Sequence, residues 1–581
     1  MLLAAPSDTL QAVTVVADRG VVVSRTDTVR IQSLLDVGGT LLYFPALYVG
    51  DYGSAAGLKS ASLRGLGSAH TAIYLDGVRV GNVQSGQADL GFLDLNSLSD
   101  VVLDYAQNSL SFITAKPVFR TGNVSAKAKL SVGSFGTWQP YGKVAVRLSP
   151  RWSLSANVGG HITHGRFPLA DGSARLNNDF KQLQAGADLF GTISGGDLHA
   201  KFYYNGSDRG TPGSVDWPST DRQTDRNWGA QAVFKKSFSP LYTLHVSAKG
   251  AQDKLLYKSE WGDSDYQQTE LQLNTAHKFH LKPWWEVSLA ADGAFDKLNS
   301  NLYQQQRWGT VVALASAFHW ERFKADIALE YAGTFDKGVA PWHSLSPSAD
   351  LRLTLVDGLD VVAFGRRTYR TPTFNELYYP GYGNPELKPE DAWLTDLGVD
   401  YRLAAGAWKL EARLDGFYNY LTNKIVSAPV DETDPMSLWM PFNVGKSQTV
   451  GVDALAHLTY QAGEWLVGCS VNYSWQKAVD LATGAAIPYV AAHTLVVNPL
   501  VSWKGWMLDA TWNLRAGRKD AAGDMPNWNT LDARLGKDIT LGACVLGLRL
   551  TGRNLLNCRY ETVSGYPMPG RSIMGGVEFK F

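Results

Sequence analysis

Gly576-Val577-Glu578-Phe579-Lys580-Phe581 closes the chain. In a strand, Val577, Phe579 and Phe581 fall on one face, and Glu578 and Lys580 on the other. The terminus of a soluble domain usually frays. The last strand of a closed barrel cannot, because it must pair with the first to remove both edges. Six residues alone leave two readings, an amphipathic edge strand and the seal of a barrel.

The same texture recurs upstream. From about Val124 onward, strands of roughly ten residues with period-two alternation are separated by turns or polar loops. Trp152-Ser153-Leu154-Ser155-Ala156-Asn157-Val158 alternates cleanly, and Leu531-Asp532-Ala533-Arg534-Leu535 repeats the scheme. Leu410-Glu411-Ala412-Arg413-Leu414-Asp415 does so too, with Tyr418 and Tyr420 continuing its apolar face. The polar face carries Arg, Glu and Asp together, which suits a hydrated lumen. Some twenty strands of roughly ten residues fit between Val124 and the end. The first part, to about Asn123, is mixed: short strands, Gly turns and a few apolar clusters.

Composition agrees with a membrane barrel. A chain of 581 residues is too long for one compact soluble core. Its formal charge is zero, so nothing points to nucleic acid. The 19 Trp and 25 Tyr suit a membrane interface, where one end of the ring is apolar and the other wet. A large lectin or propeller shares that richness. There is no run of about 18 apolar residues, so no transmembrane helix is expected. A barrel escapes that criterion, because its lipid-facing and lumen-facing residues alternate and the average cancels. Cys469, Cys544 and Cys558 have neither metal-ligand nor CxxC spacing. Met1-Leu2-Leu3-Ala4-Ala5 lacks a basic region and is not a complete signal peptide; the expectation is that a leader is missing from this chain.

Enzyme signatures are lacking, and no enzyme activity is expected. Gly445-Lys446-Ser447 looks like the end of a P-loop, but Met440 stands where the first Gly is needed. Gly65 and Gly67 form a lone pair outside any βαβ unit, and neither GxSxG nor HExxH occurs. His161 and His164 sit near a strand end, where unligated pairs are common.

The positive signals lie in the first hundred residues. Ser62-Leu63-Arg64-Gly65-Leu66-Gly67-Ser68-Ala69-His70 leads into Ala72-Ile73-Tyr74-Leu75-Asp76-Gly77-Val78-Arg79-Val80. This reads as a strand, a Gly turn, and a second strand broken by Asp-Gly, a tight hairpin turn. The stretch, with Arg64-Gly65 and Asp76-Gly77, closely resembles the plug domain of TonB-dependent outer-membrane receptors. Further family marks follow in order. They are Asn375-Glu376-Leu377-Tyr378, Asn384-Pro385-Glu386-Leu387-Lys388-Pro389-Glu390, Asn443-Val444-Gly445-Lys446 with Gly451-Val452-Asp453, and Asn554-Leu555-Leu556-Asn557 with Tyr560.

The resemblance implies a 22-stranded antiparallel outer-membrane β-barrel (residues 124–581) around an N-terminal α+β plug (19–123), preceded by a segment with a TonB box (1–18). Phe581 becomes the barrel closure. The box falls on Asp8, Thr9, Leu10, Val13, Thr14, Val15, Val16 and Ala17. A β-branched run favours an extended chain, able to pair by strand addition. The implied partners are TonB, energised through ExbB and ExbD, and outer-membrane lipid. One stretch departs from the family pattern. Asp104-Tyr105-Ala106-Gln107-Asn108-Ser109-Leu110-Ser111-Phe112 replaces the usual Arg-Gly-Pro segment, which leaves the seating of the plug open.

Within the family the chain is most similar to receptors for cobalamin (vitamin B12). Ser85-Gly86-Gln87-Ala88-Asp89-Leu90 resembles their plug loop, and Tyr560-Glu561-Thr562-Val563-Ser564-Gly565-Tyr566 with Gly570-Arg571 resembles their last hairpin, in the Bacteroidetes form. Two ligand loops are implied. One holds Asp51, Tyr52, Gly53 and Ser54; the other holds Asn82, Gln84, Ser85, Gln87 and Asp89. Some such receptors also bind calcium through Asp clusters in long loops, which implies Asp171, Asp179, Asp208 and Asp216 here, near Asn178, Asp221 and Asp225. Aspartates of solvated loops are the plain alternative. No other cofactor is expected. A surface lipoprotein is a further implied partner. The rival ligands are a ferric siderophore or haem. A passive porin and a soluble carbohydrate-binding β protein are rivals of other classes.

Overall fold

The computed structural model describes residues 25–31, 37–53, 55–120, 122–431, 437–443, 445–520 and 522–581. Twenty-two antiparallel strands, from Val124–Gly133 to Ser572–Lys580, form one closed barrel. Closure follows the pattern of the C-terminal residues. Val577 pairs with Leu130 and Phe579 with Ala128, while Val577 and Phe579 face outward. Glu578 points inward to Lys127 at 2.8 Å and Lys580 at 3.0 Å. Phe581 extends the ladder by one residue: its N–H donates to the Ala126 carbonyl at 2.8 Å, and its carbonyl accepts from the Ala126 N–H at 3.0 Å.

The barrel reverses the usual distribution of polarity. Leu271, Leu273, Leu314 and Leu329 are exposed on its outer wall, whereas Lys249, Glu270, Asp396 and Asp453 are buried on its inner wall. Such a broad apolar exterior fits a hydrocarbon surrounding rather than water. The two ends differ as well. One carries short turns of two or three residues, such as Pro150-Arg151 and Gly463-Glu464. The other carries the long loops, including 164–179, 371–389 and 554–571. Short turns mark the periplasmic end of an outer-membrane barrel and long loops the extracellular end. Next to the short turns lies a girdle of exposed Trp. Trp284 stacks on Trp320 at 5.9 Å, and Trp465 on Trp503 at 5.2 Å. Trp138, Trp308 and Trp393 are exposed near the opposite end. Part of the tryptophan excess of the composition therefore lies at the two interfaces, while Trp217 and Trp261 are exposed in loops and Trp528 is buried.

The plug fills the lumen. Its five-stranded sheet runs Thr26–Arg30, Leu98–Asp104, Ser109–Thr114, Ala72–Leu75, Val78–Val80, with Ala72–Leu75 parallel to Ser109–Thr114. Leu47–Asp51 pairs separately with Lys59–Leu63. The Asp-Gly signal works as expected: Asp76 and Gly77 have φ of 51° and 80°, which a two-residue hairpin turn requires. The Asp76 carboxylate then accepts from the Thr114 N–H at 2.7 Å and the Thr114 hydroxyl at 2.6 Å, tying the hairpin to the sheet. The main apolar core lies in the plug, around Leu41, Phe44, Leu103, Leu110 and Phe112, and continues into the barrel wall at Phe364, Ala392, Leu394 and Leu421.

The plug also meets the barrel through polar groups. Arg64 reaches Asp396 and Asp453 on the barrel wall, both at 2.8 Å. Its guanidinium lies 4.7 Å from the Tyr105 ring and 4.0 Å from the Phe417 ring. Arg413 from the wall lies 4.6 Å from the same ring, and the Tyr105 hydroxyl donates to Asp27 at 2.7 Å. Arg25 pairs with Asp400 and Asp415. Gln107 accepts from Arg366 at 2.8 Å. The stretch that departs from the family pattern thus seats the plug, with Tyr105 at the middle of the contact.

Candidate functional site

The two expected ligand loops come together at the extracellular side of the plug. Tyr52, Asn82, Gln84, Ser85, Gln87 and Asp89 line one cavity of about 500 Å³ between plug and barrel wall. Its upper rim comes from the long loops, including Thr211, Pro212 and Ser219, together with Tyr566. The last hairpin folds inward over the first plug loop. Tyr566 stands edge-on to Tyr52 at 5.0 Å, and the Thr562 hydroxyl donates to the Asp51 carbonyl at 2.7 Å. Burial pushes the Tyr52 phenol above its ordinary range, so it stays a neutral hydroxyl.

Asp51 and Gly53 serve this loop rather than the cavity. The Asp51 carboxylate pairs with Lys59 at 3.1 Å and accepts the Gly53 N–H at 3.1 Å. Ser54 lies outside the described residues. In the second loop, Asn82 accepts the Ser85 N–H at 2.9 Å, which curls the loop. Asp89 caps the short helix Leu90–Phe92 through Gly91 N–H and takes Arg209 on its other oxygen at 3.0 Å. Gly86 permits a close approach. Its φ is +71°, and a Cβ there would come within 2.6 Å of Thr373 Cγ2. Thr373 begins the helix Phe374–Tyr378, where Thr373 and Glu376 form a capping box. The N–H groups of Phe374 and Asn375 donate to the carbonyls of Val83 and Gln84, both at 3.0 Å, so a barrel loop clasps the plug loop.

The expected calcium ligands are not gathered. Asp171 bonds Ser173 in its own turn, Asp179 takes Arg222 on both oxygens at 2.8 Å, and Asp216 is exposed. Asp208 bonds Thr224 and Arg226. Asp208 and Asp225, expected in loops, lie in the strands Gly196–Gly210 and Arg222–Ser239, because the barrel extends past the expected strand ends. Among the described residues no group of three His, Cys, Asp or Glu has the geometry to hold a metal. The expected TonB box, Asp8 to Ala17, lies outside the described residues.

The cavity also holds residues the sequence reading passed over. Gln268, Asp253, Glu270, Lys249 and Arg209 line it from the barrel wall. Alternation in Tyr266-Gln267-Gln268-Thr269-Glu270 was the available signal, since it puts Gln268 on the face of Glu270.

Comparison with known proteins agrees with this architecture. Residues 125–555 match the family described as "TonB dependent receptor-like, beta-barrel", and residues 6–112 match the "TonB-dependent Receptor Plug Domain". The sequence is 23% identical to the vitamin B12 transporter BtuB of Photobacterium profundum, over 96% of this chain and 91% of that one. It is 22% identical to the BtuB of Vibrio vulnificus, with the same coverage. Among solved structures it is similar to the copper transporter OprC, with a TM-score of 0.79 at 14% identity over 96% of this chain and 98% of that one. It is also similar to the FrpB iron transporter of Neisseria meningitidis, with a TM-score of 0.78 at 13% identity over 96% and 99%. At such identities the structural likeness speaks for the fold. The chain belongs to the TonB-dependent receptors of the bacterial outer membrane, a family of transporters rather than enzymes.

Proposed function

We propose that this receptor imports cobalamin or a related corrinoid. The observation that carries the reading is the meeting of six plug-loop residues, among them Ser85, Gln87 and Asp89 of the Ser85-to-Leu90 motif, in one cavity under the long loops. The full-length relatives named vitamin B12 transporters support it. Membership in the family implies TonB as the energy-coupling partner.

The mechanism follows from the polar seating of the plug. Alongside an apolar patch of the wall, Phe364, Ala392, Leu394 and Leu421, the plug is held by hydrogen bonds and ion pairs that water and ligand can replace; a neutral hydrogen bond is exchanged for one to water at a net cost of about 1 kcal/mol, a buried ion pair at more. Ligand bound in the cavity touches the plug loop 82–89 and through it alters the contacts by which the Phe374–Tyr378 helix clasps that loop. The segment Asp8 to Ala17 pairs with TonB by strand addition, and proton-motive force drives plug movement and release. Deletion of Asp8 to Ala17 tests this: binding of labelled cyanocobalamin should persist while uptake stops. Unchanged uptake would contradict the mechanism, and absence of corrinoid binding would contradict the ligand.

A further inference from the structure

Gln268 is 4% exposed and lines the cavity, yet neither atom of its side-chain amide has a hydrogen-bond partner among the described residues. It sits on Ser264–Lys282, facing inward between Tyr266 and Glu270. A buried amide with donor and acceptor both unmet is costly, and such groups are usually satisfied. Its natural complement is another carboxamide, which offers one acceptor and one donor at matching spacing. Nearby, Asn205 Nδ2 is a second buried donor without a partner on the same cavity wall.

The charges around Gln268 narrow the ligand further. Arg209 is held by Asp89 at 3.0 Å and Asp225 at 3.5 Å. Lys249 is held by Glu270 at 2.6 Å, and Lys201 by Asp188 at 2.8 Å. Every lysine and arginine lining the cavity is therefore already committed to a carboxylate. Asp253, directly across the ladder from Gln268, has no ion-pair partner among the described residues. An anionic ligand would find no free cation and would face an unpaired carboxylate in a partly dehydrated site.

We propose that Gln268 and Asp253 determine specificity: Gln268 pairs with a carboxamide of the ligand, and Asp253 turns away anionic chelates. The proposal rests on the cavity being the ligand site. It extends that reading by fixing the charge and functional group the ligand must present.

The test is equilibrium binding to the full chain in detergent, with three probes. Cyanocobalamin is uncharged and bears carboxamides, ferrichrome is an uncharged iron chelate bearing peptide amides, and ferric enterobactin is anionic. Wild type should bind an uncharged probe and bind ferric enterobactin far more weakly. Q268L should weaken the uncharged probe about 10- to 100-fold, as for a ligand group deprived of its buried partner. Q268M, close in shape to Gln, should match it and serves if Q268L does not assemble. D253N should narrow the gap between uncharged and anionic probes about tenfold. Ferrichrome bound in place of cyanocobalamin would overturn the corrinoid reading, and weakened ferrichrome binding by the Gln268 variants would still support the pairing with an amide. Wild-type affinity of both Gln268 variants for the uncharged probe would overturn the proposal. So would equal binding of ferric enterobactin by wild type, or no binding of either uncharged probe.

Discussion

Tyr105 shows how much one side chain decides in this molecule. Its ring carries the guanidinium groups of both Arg64 and Arg413, which the barrel wall neutralises with Asp396, Asp453 and Asp415. Removing one partner of a buried ion pair costs about 3–5 kcal/mol, because it leaves the other charge uncompensated. Arg64→Met should therefore loosen the plug by about that amount. Faster hydrogen exchange in the plug strands, with the barrel unchanged, is the expected readout. Beside it, burial pushes the Asp104 carboxyl from 3.8 up to about 6, against the opposing pull of the Gln107 N–H and Arg366. Between about pH 4 and 6 the folded plug then binds more protons than the unfolded chain. Plug stability should fall as pH rises through that window, by up to about 3 kcal/mol, and level off above it. Asp104→Asn should abolish this dependence, measured by exchange protection of Leu98–Asp104 at pH 5 and pH 7. None of this was legible in the sequence beyond a departure from the family pattern. Tyr105 and Arg413 are partners across most of the chain, and nothing local to either names the other.

At the scale of elements, legibility tracks how local the cause is. The Asp76-Gly77 hairpin was readable because two left-handed residues in a row are a matter of backbone sterics. The loop 82–89, expected to meet ligand, was readable as a loop by resemblance, but not its clasp. That clasp is built by Thr373, Phe374 and Asn375, far along the chain. Gly86 is where the two elements touch. Gly86→Ala would strain a positive φ and drive a methyl into Thr373, so loop and helix must part. Ligand binding should drop at least about tenfold, an effect of more than about 1.4 kcal/mol, while heat-modifiable migration shows a folded barrel. Gln268 marks the limit of such reading. Alternation placed it on the lumen face, but only the closed barrel shows what it faces.

For the whole molecule, the decisive fact is closure. Phe581 makes the last two backbone hydrogen bonds of the seam, to Ala126, and ends with its ring exposed on the outer wall side of the ladder. An unpaired strand end in hydrocarbon costs several kcal/mol per backbone group. Deleting Phe581 should reduce the amount of folded receptor in the outer membrane while leaving the residual protein with normal ligand affinity. Strand length and composition prefigured some twenty alternating strands and the Trp-rich interfaces, since lipid imposes the alternation and the aromatic belts, while the number 22 came from the family resemblance. The seating of a polar plug in a polar lumen was not prefigured, because it depends on pairings between distant strands.

In the proposed function this barrel admits a corrinoid by TonB-driven movement of the plug. The most direct test is accumulation of labelled cyanocobalamin in cells lacking any other cobalamin receptor and expressing this chain. Accumulation should appear with intact TonB and vanish both without TonB and on deletion of Asp8 to Ala17, with surface binding retained. Failure to accumulate the label, or accumulation that persists without TonB, would contradict the account.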